Sequence, residues 1–389
     1  MAIVGIICEY NPLHTGHAFQ MGEVRRRAGA DTGIVCVMSG DFVQRGQPAV
    51  FDKLMRARAA IACGADLVLE LPLSRALSSA EGFAAGGIEI LDRLGTVDAV
   101  CFGSETADGS VERAAAAMED PAFDALLREE LQEGISYGAA KQRALEKLTG
   151  EVGILRTPND ILGAEYCRAL LRRKSAIRPL TVKRAGDYRS AALDEAAPSA
   201  TALRELLKTG GWEPYVPEAA REVFASAVRH RWEYGARAVA ARLRTIPEAE
   251  WKTIAHGGEG LWRKLRRACM TQTEPEALCA AILSKRYPAT RAARLVLCAY
   301  LGITQDELTA PIGYVRVLAV NTQGKRILRE SKKTGDLPLL NLGQRPEDRN
   351  AWDLEQLRGD LYTLFAEPGQ QPEFGREKRL RTVLEDPQM

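Results

Sequence analysis

Aromatic residues make up only 6% of this 389-residue chain, and histidine occurs four times. Neither sign of charge is in excess, with 53 Lys plus Arg against 51 Asp plus Glu, so the molecule as a whole has no electrostatic pull on nucleic acid. Any such attraction must come from local clusters. The eight cysteines (Cys8, Cys36, Cys63, Cys101, Cys167, Cys269, Cys279, Cys298) form no CxxC pair and no His/Cys set at zinc-ligand spacing. That usage fits free thiols in a reducing compartment, and a cytoplasmic protein is expected. No apolar run reaches spanning length and MAIVGIICEY carries no basic n-region, so the reading is neither a membrane span nor an export signal. Hydrophobic residues are plentiful at 46%, enough for two or three packed domains.

Up to about Lys183, short apolar runs alternate with segments of helical periodicity. AIVGIIC (2–8), GIVCVM (33–38), DLVLEL (66–71), DAVCF (98–102) and PLTVKR (179–184) are of strand length, and continuous apolar strands between helices predict a parallel sheet covered on both faces. A charged helical stretch at about 111–150 reads as an insertion or a lid. Beyond the Gly and Pro residues between Gly210 and Pro217 the pattern is helical, as in REVFASAVRHRWEYGARAVAARLR, with a little late β structure at VRVLAV (315–320). The expected organisation is an α/β, Rossmann-like domain over 1–212 and a mainly α-helical C-terminal domain over 213–389. The polar, Pro- and Gly-rich EPGQQPEFGREKRL is expected to fray.

In an open α/β sheet, ligands bind beyond the carboxyl ends of the strands, beside helix N-termini. EYNPLHTGH, residues 9–17, occupies that place for the first strand. Gly16 permits close backbone approach, and His14 and His17 flank the positive end of a helix dipole, where N–H groups favour an anion. Two imidazoles there can donate to phosphate oxygens as charge develops during attack at an α-phosphate. HxxH without a third ligand is a weak metal signal, and no metal site is read. The competing reading is a histidine that merely caps the helix or fills a core.

HTGH resembles the HxGH signature of the nucleotidyltransferase superfamily. GIICEYNPLHTGH, MSGDFVQRGQPAVFDKLMRARAAIACGADLVLELP, FGSE, TPNDILGAEY and SATALR, in this order, resemble the tRNA(Met) cytidine acetate ligase family, as do SKRYPATRAARLVLCAYLGI and VRVLAVN near the end. The resemblance implies a Rossmann-like sheet that binds ATP as a substrate, together with Mg²⁺, and a two-step reaction. Acetate is activated as acetyl-adenylate, and the acetyl group then passes to N4 of the wobble cytidine of elongator tRNA(Met). The implied partners are that tRNA and acetate, with neither DNA nor a membrane. Oligomeric state is left open.

Carried over by position, the family's first ATP-binding segment falls on Ile7, Cys8, Glu9, Tyr10, Asn11, Pro12, Leu13, His14, Thr15, Gly16, His17, Ala18, Phe19 and Gln20. Gly103 of FGSE, Asn159 of TPNDIL, Arg184 and the SATALR residues Ser199, Thr201 and Arg204 are carried over as further nucleotide contacts. Each has a plainer alternative: a turn glycine, a helix cap for Asn159, solvated arginines. Catalysis is assigned to His14, His17 and Lys53. Asp41, Gln44 and Arg45 follow the second strand, where a positive group, Arg45 or Lys53, could neutralise acetate or reach the tRNA backbone. At Asp41 the resemblance leads us to expect Asn as often as Asp.

LWRKLRRACM (261–270), SKRYPATRAAR (284–294) and RHRWEYGARAVAARLR (229–244) mix basic residues with Trp232, Trp262 and Tyr287. That mixture suits phosphate tracking with base stacking, and Lys264 and Arg267 are the RNA-contact candidates. Two rivals remain at this stage: a small-molecule adenylyltransferase sharing the HxGH chemistry, and a nucleotide-responsive RNA-binding protein without catalysis.

Overall fold

The computed structural model describes residues 1–153, 155–183 and 200–385. Among these residues ten strands are numbered in chain order: β1 (Ile3–Cys8), β2 (Gly33–Ser39), β3 (Phe42–Val43), β4 (Gln47–Pro48), β5 (Leu67–Leu71), β6 (Ala99–Ser104), β7 (Arg178–Lys183), β8 (Val315–Val320), β9 (Leu339–Asn341) and β10 (Val383–Leu384). The apolar runs form strands because every residue of β1 and β2 is buried, as a sheet covered on both faces requires.

The main sheet has the order β10-β8-β5-β2-β1-β6-β7, with β9 on β8. From β5 to β7 all neighbours are parallel. The chain winds outward from β1 through β2 to β5, then returns to place β6 on the other side of β1. The β1/β6 boundary is therefore the topological switch point, and the cleft beyond these two carboxyl ends is where such a sheet holds a ligand.

The stretch at 111–150 is helical as expected, folded as Ser110–Ala117, Pro121–Gln132 and Tyr137–Thr149. VRVLAV is a strand over the predicted residues, but it does not stay with the helical part. β8 crosses back and pairs antiparallel with β5, and β9 and β10 pair with β8. A boundary at 212/213 thus divides a sheet that the C-terminal residues complete. The stretch read as helical from Arg221 breaks after Ala225 and resumes at Ala236, and between the two helices His230 forms an antiparallel bridge to Ala366.

Two apolar clusters cover the faces of the sheet, and a third, built around Trp251, Trp262, Tyr300, Tyr362 and Phe365, is the core of the helical part. Phe42, from the β3–β4 hairpin, belongs to that third core and meets Tyr362 edge-on at 5.5 Å. The short hairpin therefore stands between the sheet and the helices.

Candidate active site

At the end of β1 the chain turns through Tyr10, whose φ of +45° is unusual for a bulky residue and costs roughly 1–3 kcal/mol. Burial of the ring and a 3.4 Å contact between its hydroxyl and Cys36 Sγ hold it there. The cis Asn11–Pro12 bond follows, and His14 becomes the N-cap of the helix Thr15–Ala28. His14 Nδ1 accepts from the Gly16 N–H at 3.2 Å, while His17 Nδ1 accepts from the His14 N–H at 3.2 Å. The helix-capping alternative is therefore real, and it has a chemical consequence. Because each Nδ1 accepts, the proton of each neutral ring sits on Nε2, so the capping bonds select the tautomer that carries a donor there. The rings stack with centroids 3.8 Å apart, and the edge of Tyr10 lies 4.9 Å from His17. A Cβ on Gly16 would lie 3.1 Å from the His14 ring, so glycine there leaves the ring its place.

Arg204 of the helix Ala200–Thr209 reaches this loop. Its Nη1 donates to the Asn11 carbonyl at 2.9 Å and its Nη2 to Thr201 Oγ1 at 3.0 Å. The first and last predicted phosphate-binding motifs, far apart in sequence, thus meet. Across the switch point, Gly103 is the penultimate residue of β6 and Asn159 lies in the first turn of the helix Pro158–Arg173. Asn159 is not the cap: Thr157 accepts from the Asp160 N–H, and Asn159 Nδ2 donates to Glu105 Oε1 at 2.8 Å. Asp160 joins the two segments by accepting from Ser104 Oγ at 2.6 Å and from the Glu105 N–H at 3.1 Å. This residue escaped the sequence reading, although an acid in a helix's first turn was a visible signal. Arg184 and Ser199 lie outside the described residues. Within the first segment, Ile7, Cys8 and Leu13 are core, Phe19 is half exposed, and Gln20 Nε2 donates to the Cys101 carbonyl.

The residues read as acetate or tRNA contacts divide differently. Lys53 Nζ lies between Glu70 (3.0 Å) and Glu377 (2.8 Å), with its side chain 6% exposed. Asp41 Oδ2 pairs with Arg376 Nη1 at 2.7 Å and its Oδ1 accepts from the Lys53 N–H. Lys53 is therefore neutralised within the protein, which leaves no uncompensated cation at this position for acetate. Burial alone would raise the Asp41 carboxyl, but Arg376 and Lys53 outweigh it and hold it at about 2. Burial pushes Glu70 up to about 7, the pull of Lys53 being opposed by Glu377 and Asp41. Arg376 and Glu377 come from the segment expected to fray, and both are buried, since desolvated carboxylates and cations require each other. A cavity of about 430 Å³ opens on this network beyond β2 and β5, with Gly40, Lys53, Glu70, Tyr314, Arg316 and Glu377 among its walls.

Gln44 and Arg45 form the turn of the β3–β4 hairpin, with Arg45 exposed and the Gln44 N–H donating to Glu9 Oε1 at 2.6 Å. Burial raises the Glu9 carboxyl, against the Gln44 hydrogen bond and the charges of Arg45, Arg56 and Arg204. Arg56, fully buried, donates to the carbonyls of Glu9 and Ser39 at 2.6 and 3.1 Å, joining the ends of β1 and β2. In the helical part Lys264 and Arg267 are exposed on the helix Leu261–Ala268. Trp232, Trp262 and Tyr287, read as stacking platforms, are instead 6%, 9% and 8% exposed within the helical core. Their basic neighbours lie over them, with Arg263 5.1 Å from the Trp262 ring and Arg291 4.8 Å from Tyr287.

Among the described residues no group of three or more His, Cys, Asp or Glu could hold a metal ion, and no helix is long and apolar enough to cross a membrane.

A doubly wound sheet with an HxGH loop at its switch point defines a nucleotidyltransferase, and the family described as HIGH Nucleotidyl Transferase matches residues 1–377. The tRNA(Met) cytidine acetate ligase of Acetivibrio thermocellus is 35% identical over 94% of this chain and 95% of its own length. That of Caldanaerobacter subterraneus subsp. tengcongensis is also 35% identical, with 94% and 95% covered. The crystal structure of Thermotoga maritima TmcAL bound with alpha-thio ATP superposes with a TM-score of 0.88 at 29% identity, covering 99% of both chains. The chain belongs to the tRNA(Met) cytidine acetate ligase family of HIGH nucleotidyltransferases.

Proposed function

We propose that this chain is an ATP-dependent ligase that activates acetate as acetyl-adenylate and transfers the acetyl group to N4 of the wobble cytidine of elongator tRNA(Met). The observation that carries the reading is the pair of Nε2–H donors, His14 and His17, at a helix N-terminus on the switch point, with Arg204 anchored to the same loop. An acetate oxygen attacks the α-phosphorus in line and the bond to the bridging oxygen breaks, so negative charge accumulates on departing pyrophosphate. Preorganised donors and a helix dipole stabilise that charge without a protein nucleophile. In the second step N4 attacks the acetyl carbonyl, AMP leaves, and the surplus proton passes to solvent or to the departing phosphate.

Gly103, Asn159, Arg184, Ser199 and Thr201 contact the nucleotide in this reading, and Lys264 and Arg267 meet tRNA phosphates. Mg²⁺ bound with ATP would supply charge neutralisation on the phosphates; among the described residues there is no three-carboxylate or histidine cage, which suits an ion held chiefly through the nucleotide. The eight free cysteines, six of them buried, suit a cytoplasmic setting.

The test is ATP–pyrophosphate exchange with and without acetate. Exchange is expected only with acetate, and His17→Ala is expected to lower it by about 10²–10³ while leaving tRNA affinity intact. Acetate-independent exchange would sink the reading, and equal loss of tRNA binding would make His17 structural.

A further inference from the structure

The hairpin turn that follows β2 touches both the adenylation loop and the helical part, and one residue lies at the junction. Gln44 gives its N–H to Glu9 Oε1 at 2.6 Å, and its carbonyl accepts from Arg294 Nη1 at 3.2 Å. Its side-chain amide donates to the Ser78 carbonyl at 3.3 Å, fixing the residue from a third direction. Next in the turn, Gly46 has φ +79°, and a Cβ built on it would lie 2.4 Å from the Arg294 backbone nitrogen. Only glycine lets the turn lie this close to the helix Ala289–Leu301.

Arg294 is also the last residue of SKRYPATRAAR. Lys285 and Arg286 of that stretch are exposed, whereas Arg294 is 8% exposed and aimed at the hairpin. The same stretch thus presents basic groups outward and one guanidinium inward. A parallel set of bonds fixes the rest of the hairpin: the Val50 N–H donates to Asn11 Oδ1, the His230 N–H to the Val50 carbonyl, and Tyr362 Oη to the Ala49 carbonyl. None of these bonds involves the Arg294 side chain, so its removal leaves the hairpin attached while taking one of three ties from Gln44.

We propose that Arg294 is a positioning residue that ties the helical part to the adenylation loop through the Gln44 backbone, so that losing its guanidinium loosens Glu9 and slows adenylate formation. The kinetic half of this inference rests on the adenylation reading above. Glu9 sits among Arg45 of the hairpin, Arg56, Arg204 and Tyr166, each from a different element. The Gln44 N–H favours the Glu9 carboxylate over the acid, so weakening that bond moves the Glu9 carboxyl further up. Cations on the SKRYPATRAAR surface and the acid in the adenylation loop then share one connector, a physical route by which bound RNA could bias the first step.

The experiment compares wild type with Arg294→Met, Arg294→Lys, Glu9→Gln and the Arg294→Met/Glu9→Gln double variant, using the full chain. Arg294→Met should lower kcat for acetate-dependent pyrophosphate exchange about tenfold, the effect of one charge-assisted hydrogen bond, with KM for ATP and tRNA affinity little changed. The acid limb of its pH profile should move to higher pH, Arg294→Lys should restore part of the rate, and the double variant should be no slower than Glu9→Gln. Amide hydrogen exchange without nucleotide supplies a second readout: residues 9–14 and 42–47 should exchange faster in Arg294→Met, with no change at 103–105. Unchanged amide protection and an unmoved acid limb would overturn the proposal, as would a rate loss that simply adds to that of Glu9→Gln. Wild type without acetate-dependent exchange would overturn the enzymatic reading instead, and the amide readout would still judge the connector.

Discussion

Replacing Lys53 by methionine separates a structural lysine from a catalytic one. Its ammonium is surrounded by Glu70 and Glu377, and neither lysine nor Glu377 has appreciable access to water. Removing one partner of such a pair costs about 3–5 kcal/mol because the remaining charges stay desolvated, here two carboxylates facing one another. Against a typical domain stability of roughly 5–15 kcal/mol that is a large fraction. The sign of the pH dependence follows from Glu70. Its carboxyl stands at about 7 in the fold against an ordinary 4.5, so its contribution to stability is complete below about 4.5 and is lost as pH rises through about 7. Without Lys53 to favour ionisation the folded carboxyl rises further, and the penalty should shrink on acidification below neutral pH. Urea unfolding at pH 6 and pH 8 measures both effects: the midpoint should fall with an unchanged slope, more at pH 8 than at pH 6. Adding Glu70→Gln and Glu377→Gln should recover much of the loss. A Lys53→Met chain as stable as wild type but unable to form acetyl-adenylate would refute the reasoning and return Lys53 to catalysis.

Lys264→Glu with Arg267→Glu should weaken tRNA binding, reduce the slope of log affinity against log salt by about two, and leave pyrophosphate exchange alone. An unchanged salt slope would remove these two residues from the interface. Trp262→Ala should destabilise the chain by about 3–5 kcal/mol, since the ring belongs to the helical core. Loss of RNA affinity at full stability would restore it as a stacking platform.

The parallel sheet was legible because both of its faces are covered, which makes AIVGIIC and GIVCVM continuous apolar runs rather than alternating ones. The HTGH loop was legible because its chemistry is local: the glycine, both rings and the capping bonds lie within four residues. Nothing local revealed that VRVLAV pairs with DLVLEL, because register and partner are set by contacts some 250 residues apart, as at Leu67 and Val320. The ion pairing of Lys53 was hidden for the same reason, since its partner Glu377 is 324 residues away. Composition misled at the C-terminus, where a polar, glycine-containing segment turned out to neutralise buried charge. It misled again at Trp262 and Tyr287, because helical amphipathicity with arginines beside aromatics describes a snorkelling core edge as well as an RNA surface.

The most direct measurement incubates the protein with ATP, labelled acetate and transcribed elongator tRNA(Met), then digests the RNA to nucleosides. The account predicts label in N4-acetylcytidine at the wobble position, dependent on ATP, released with AMP and pyrophosphate, and lost in His17→Ala. Acetate-dependent pyrophosphate exchange with no label ever entering RNA would contradict it.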